Sequence, residues 1–283
     1  MTTIKTFIKK HPVLTYFALA FIISWSAVLI VAGGIPVTTE QLEVLGLAML
    51  LGPSVASMLL TGFTSGREGL RELLSRLLRW RVGARWYAVA LLTAPLSIAA
   101  VLLALSLLSS EFLPAIFTSD DKATLLLSGI AAGLMVGVFE ELGWTGFAIP
   151  RLRLRYGVLT TGGIIVGLLW GAWHFIVFWE SDSFSGALPL ALLLARLFSC
   201  LPAYRVLMVW VYDRTESLLI AILMHASLVA SLVIVEPPLT GGNLLTYILV
   251  RAAVWVVVAA VAVANRVKHV NPLELQPAYL KES

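Results

Sequence analysis

Eight stretches of this sequence, at residues 13–32, 43–63, 86–108, 124–148, 158–179, 187–211, 217–235 and 244–265, are apolar over the roughly 20 residues that an α-helix needs to cross about 30 Å of hydrocarbon. In lipid every backbone polar group has to be satisfied within the protein, so runs of this kind are helices. The bulk numbers agree: 59% of residues are hydrophobic, 13% are charged and the mean hydropathy is +0.94, whereas soluble domains rarely exceed about half apolar residues. The expectation is an all-α polytopic membrane protein of about eight transmembrane helices, a single integral membrane domain over residues 1–283. The first run follows a cationic start, MTTIKTFIKK, but lacks a small-x-small cleavage site, which favours an uncleaved first span.

The loops set the orientation. Lys5, Lys9 and Lys10, then Arg67, Arg71, Arg76, Arg79, Arg81 and Arg85, then Arg151, Arg153 and Arg155, then Arg214, Arg266, Lys268 and Lys281 all fall on one side of the spans. The other side holds Lys122 against Glu40, Glu111, Asp120, Asp121, Glu180, Asp182 and Glu236. By the positive-inside rule both termini are cytoplasmic in a multi-pass protein of the cell membrane. Residues 67–80, REGLRELLSRLLRW, place leucines at helical spacing opposite arginines and predict a cytoplasmic amphipathic helix lying at the headgroups. No basic run interleaves with aromatics, so the net charge of +4 points to the lipid bilayer as partner and not to nucleic acid. The single cysteine, Cys200, lies in an apolar run; it excludes an internal disulfide and reads as a small core residue. No internal repeat suggests a two-halved transporter, the reading in which buried carboxylates would relay protons.

Residues 139–150, FEELGWTGFAIP, put Glu140 and Glu141 side by side at the end of an apolar run. An isolated ionised acid in hydrocarbon costs roughly 2.5–3.5 kcal/mol, so two in a row need partners or water. Neighbours on a helix point about 100° apart, so the pair faces two walls of a site and does not share one proton. The alternative is that both lie beyond the bilayer and are solvated. His174, in GLLWGAWHFIVFW, and His225, in SLLIAILMHAS, are two further ionisable residues inside predicted spans. A lone membrane histidine is often an interhelical hydrogen bond. Taken with the acids, the two imidazoles become candidates for a functional site. Gly129, Gly133 and Gly137 form a ridge whose next position is Glu141, and Gly163, Gly167 and Gly171 form another ending near His174. Such ridges let helices approach closely. Depth is less consistent: at 1.5 Å per residue Glu140 lies about 15 Å above the cytoplasmic border, His225 about 12 Å and His174 about 25 Å, unless the fifth span tilts or begins below the bilayer.

The successive motifs EELGWTGFAIPRL, GLLWGAWHFIVFW and YDRTESLLIAILMHAS resemble those of the CAAX protease and bacteriocin-processing family of intramembrane proteases, relatives of the type II CAAX prenyl endopeptidases. The resemblance implies a motif-bearing protease core over residues 124–235, acting on a membrane-associated peptide or protein. It implies that Glu140 and His174 activate a water and that His225 stabilises the oxyanion, with Glu141 the fourth catalytic candidate. Two positions depart from the family pattern. Thr145 stands where an arginine is common, though its hydroxyl is one turn from Glu141, and Val229 stands where an asparagine is common, leaving Ser227 or a water as substitute donor. These departures keep open a catalytically impaired member serving as an immunity factor or membrane scaffold. Metal-free catalysis is what the resemblance favours. Glutamate and two histidines are also a catalytic zinc ligand set, so Glu140, His174 and His225 leave a zinc-activated water open.

Overall fold

The computed structural model describes residues 2–32 and 42–264. Glu40, Arg266, Lys268 and Lys281, used above to set the orientation, lie outside them. Among the described residues the chain is helical without strands: α1 (Thr2–Lys10), α2 (Pro12–Ala32), α3 (Leu42–Leu77), α4 (Ala84–Ser106), the single turn α5 (Ala115–Thr118), α6 (Lys122–Gly143), α7 (Ile149–Arg153), α8 (Leu168–Trp173), α9 (Phe175–Phe178), α10 (Ala187–Phe198), α11 (Cys200–Thr215), α12 (Leu218–Val235) and α13 (Gly241–Ala264). Seven helical stretches among the described residues are long and apolar enough to cross a membrane, which makes this a multi-pass membrane protein.

The predicted fifth span is different. Its apolar helix, Leu159–Trp173, is short, begins as a π-helix over Leu159–Gly167 and is broken from α9 at His174. The π form puts more residues into each turn than an α-helix and is associated with functional sites. Glycines explain the packing of this stretch, with Gly162 making the closest backbone approach where the predicted ridge had Gly163: a Cβ at Gly162 would stand 2.8 Å from the Val206 Cα, one at Gly167 would stand 2.7 Å from the Pro202 Cα, and Gly171 packs on the Leu197 carbonyl of α10. The segment therefore presses backbone to backbone against α11.

The other glycine ridge seats α6 on α12. A Cβ at Gly137 would stand 2.7 Å from the Ile222 carbonyl oxygen, and Gly129 and Gly133 meet α12 in the same way at Ile234 and Ala226. Gly137→Leu is expected to force the two helices apart, at a cost of about 1–3 kcal/mol. Thermal unfolding in detergent checks this, and an unchanged transition would dismiss the close contact.

Helix α3 kinks at Gly66, whose φ of 60° suits a residue without Cβ. Beyond the kink lies the predicted amphipathic segment, which ends at Leu77 and not at residue 80. Its leucines divide: Leu70, Leu74 and Leu78 are exposed, while Leu73 packs on Leu218 and Ile222. Arg76 also turns inward, donating to the Gly146 carbonyl at 3.0 Å and the Tyr212 hydroxyl at 3.0 Å. One arginine thus holds this segment to the chain just past the acid pair. Cys200 is buried as expected, but in polar company, with its Sγ 3.4 Å from the Arg251 Nε.

Candidate active site

Glu140 and Glu141 occupy the last turn of α6, and the rotation between neighbours sends them apart. Glu140, 2% exposed, turns toward α8, where its Oε2 accepts from the indole Nε1 of Trp170 at 2.7 Å and of Trp144 at 3.1 Å. Glu141, fully buried, turns toward α11 and α12. Its Oε1 accepts from Arg205 Nη1 at 2.8 Å and faces His225 Nδ1 at 2.7 Å, and its Oε2 accepts from Arg205 Nη1 at 2.9 Å and from the Thr145 hydroxyl. Neither acid is solvated outside the protein. Each has protein donors, which is what a carboxylate inside a membrane bundle requires.

His174 sits at the break between α8 and α9. Its Nδ1 lies 2.7 Å from the Trp170 carbonyl oxygen, which can only accept, so Nδ1 carries the hydrogen and Nε2 is left with a bare lone pair in the neutral ring. Trp173 meets the ring edge-on at 4.9 Å and Phe178 stacks on it at 5.4 Å, which fixes its plane. Trp170 therefore reaches both candidates, with its indole N–H on Glu140 and its carbonyl on His174. Glu140 and His174 line one cavity of about 490 Å³, walled otherwise by α3 (Leu47, Met49, Leu50), α6 (Met135, Val136) and Val229 of α12. The fifth segment opens as a π-helix, which climbs less than an α-helix for the same number of residues and so narrows the depth mismatch expected at 1.5 Å per residue.

His225 is placed with Glu141 and is not among the residues lining that cavity. It meets the Trp170 ring edge-on at 5.2 Å, so Trp170 stands in contact with both imidazoles and one acid. Glu140, His174 and His225 do not draw together as a metal seat: among the described residues no three His, Cys, Asp or Glu side chains are grouped to hold an ion. Val229 gives the cavity an apolar wall. Ser227 donates to the Leu91 carbonyl at 2.9 Å and does not line the cavity, so it does not stand in for a donor at position 229.

The sequence reading had no role for Arg205. It is fully buried on α11, and its guanidinium carbon lies 4.0 Å from the centre of the Trp170 ring. The signal for it was available in LPAYRVLMVWV: an arginine in the middle of an apolar run, where a cation is as costly as an acid.

Acids and imidazoles gathered from separate apolar helices define a class, that of polytopic proteins with a polar site inside the bundle. Within it, the family model described as type II CAAX prenyl endopeptidase Rce1-like matches residues 122–231. The protein named CAAX prenyl protease 2 from Methanococcus maripaludis is 30% identical over 146 residues, which cover 48% of this chain and 50% of that relative. The chain thus matches about half the length of this curated relative. The segment that holds Glu140, Glu141, His174 and His225 is thus the part of the chain that is similar to the type II CAAX prenyl endopeptidases.

Proposed function

We propose that this protein is an intramembrane endopeptidase that hydrolyses a peptide bond near the cytoplasmic face of the cell membrane, with both termini cytoplasmic. The observation that carries the reading is the shared cavity, in which a carboxylate from α6 and an imidazole from the broken fifth segment line one apolar chamber. Glu140 is the general base. Its Oε2 is occupied by two indoles, so Oε1 takes the proton of the attacking water. His174 orients that water by accepting its second O–H at Nε2, and Glu140 passes the proton it took on to the leaving amine. His225, held by Glu141 at Nδ1 and meeting Trp170 edge-on, stabilises the oxyanion when its Nε2 also carries a hydrogen to donate. The substrate is a membrane-associated peptide or protein. The relative's name carries a prenylated one, and walls of leucine, methionine and valine suit an apolar segment beside the scissile bond.

The test is hydrolysis of a membrane-peptide library by purified protein and by Glu140→Ala in liposomes, each with and without chelator. Cleavage by the first alone, unaffected by chelator, is expected. Equal cleavage by both would overturn the reading, and loss with chelator would replace the metal-free base by a metal-activated water.

A second reading rests on Val229. With an apolar wall where the family commonly has an amide, the chain would be a non-hydrolytic binder, an immunity factor or scaffold. Val229→Asn discriminates. On the protease reading it raises kcat by about tenfold, below the 10²–10³ that a fully placed oxyanion donor contributes. A binder gains no turnover.

A further inference from the structure

We infer that Arg205 is a positioning residue that holds both halves of the site: directly the Glu141–His225 pair, and through Trp170 the base Glu140. The inference rests on the endopeptidase reading for its effect on turnover. For its effect on structure it rests on contacts alone.

Three observations converge on this arginine. One guanidinium nitrogen, Nη1, reaches both oxygens of Glu141, at 2.8 and 2.9 Å, with both side chains fully buried. The same guanidinium lies over the face of Trp170, whose N–H is on Glu140 and whose edge meets His225. Nε and Nη2 find no acceptor among the described residues, so Glu141 and the aromatic face are what hold the charge. A cation over an indole is attracted by the ring's negative face and fixes its plane. The contact therefore aims the Trp170 N–H at Glu140. It depends on the glycine packing already described: a Cβ at Gly162 would stand 3.0 Å from the Arg205 carbonyl oxygen, so only a bare backbone lets the fifth segment come this close.

Arg205 also accounts for the threonine at position 145. Glu141 needs a cation because an uncompensated buried carboxylate is strongly unfavourable. Position 145 is one turn on from Glu141, close enough for its short hydroxyl to reach the carboxylate. An arginine there would reach it too, and two cations on one acid would repel. Here the cation comes from α11, and position 145 is left with a neutral donor.

The experiment compares Arg205→Leu, Arg205→Lys and the double variant Arg205→Leu/Thr145→Arg. Two readouts are used: peptide hydrolysis in liposomes, and ¹⁵N NMR of the His225 ring assigned with His225→Asn. In the unaltered protein the ring is expected to hold its hydrogen on Nδ1, facing Glu141. Arg205→Leu is expected to disperse that tautomer and to lower kcat about 10²-fold with KM changed less than about threefold, the size usual for lost outer partners of a site. Arg205→Lys keeps the charge without the planar face that lies over Trp170 and loses about tenfold. The double variant returns the cation from position 145 and recovers both the ring signal and kcat to within about tenfold. An Arg205→Leu protein with native ring signal overturns the inference, and so does a double variant that recovers neither readout. If Arg205→Leu does not fold, the lysine and double variants decide in the same terms. Absence of peptidase activity in the unaltered protein would refute the endopeptidase reading, while the ring signal still tests Arg205.

Discussion

Glu140→Gln is expected to lower kcat by about 10²–10⁴-fold, the contribution of a placed general base, with KM changed less than about twofold. Glutamine is the informative replacement because its amide oxygen can still accept the indole hydrogens of Trp144 and Trp170, now at 3.1 and 2.7 Å. The cavity keeps its shape and loses only the basic oxygen. Substrate binding to walls such as Leu47, Met135 and Val136 is then untouched, so the loss falls on turnover. Trp170→Phe separates orientation from basicity: it removes the 2.7 Å bond and leaves the carboxylate, and about tenfold is expected for one lost hydrogen bond to a charged group. Initial rates in liposomes, beside thermal unfolding of each variant, check both. Turnover by Glu140→Gln at the unaltered rate would leave the carboxylate without a chemical role.

Much of this arrangement could be read from local spacing. Two adjacent glutamates on a helix have to diverge, and they do: Glu140 meets tryptophans, and Glu141 meets Arg205 and His225. The small-residue ridge ending at Glu141 was legible for the same reason, because a period of four is a helical face whichever helix packs on it. The helices it meets are not written in that period, and α12 as partner of α6 emerges only in three dimensions. The π-helical start of the fifth segment was hidden because apolar composition does not register how many residues make a turn, so a uniform 1.5 Å per residue does not describe its climb. Arg205 was hidden differently. It lies 64 residues from Glu141 along the chain, where no motif spacing links them, and a lone cation among leucines and valines carries no period that points to its partner. Arg76 shows the same limit on a surface helix. The leucine spacing places it on the polar side of a helix at the headgroups, yet it turns in to donate to the Gly146 carbonyl.

Glu141→Ala is expected to destabilise the protein by about 3–5 kcal/mol, the usual cost of breaking a buried ion pair by removing one partner. The reason is what remains. Arg205 would keep its charge at a fully buried position, with Nε and Nη2 already lacking acceptors and Nη1 now losing its own. His225 would lose the partner of its Nδ1 at the same time. A pair that positions catalytic groups does not have to be a large net source of stability, because two charges taken out of water regain little more than their desolvation cost. The double variant Glu141→Leu/Arg205→Met should therefore be more stable than either single variant, while hydrolysing peptide no better than Arg205→Leu. Unfolding followed by SDS titration in mixed micelles measures the stabilities, and the four-protein cycle gives the coupling between the two side chains. Single variants that each cost less than about 1 kcal/mol, as exposed pairs do, would mean that Glu141 and Arg205 are solvated and not joined inside the bundle.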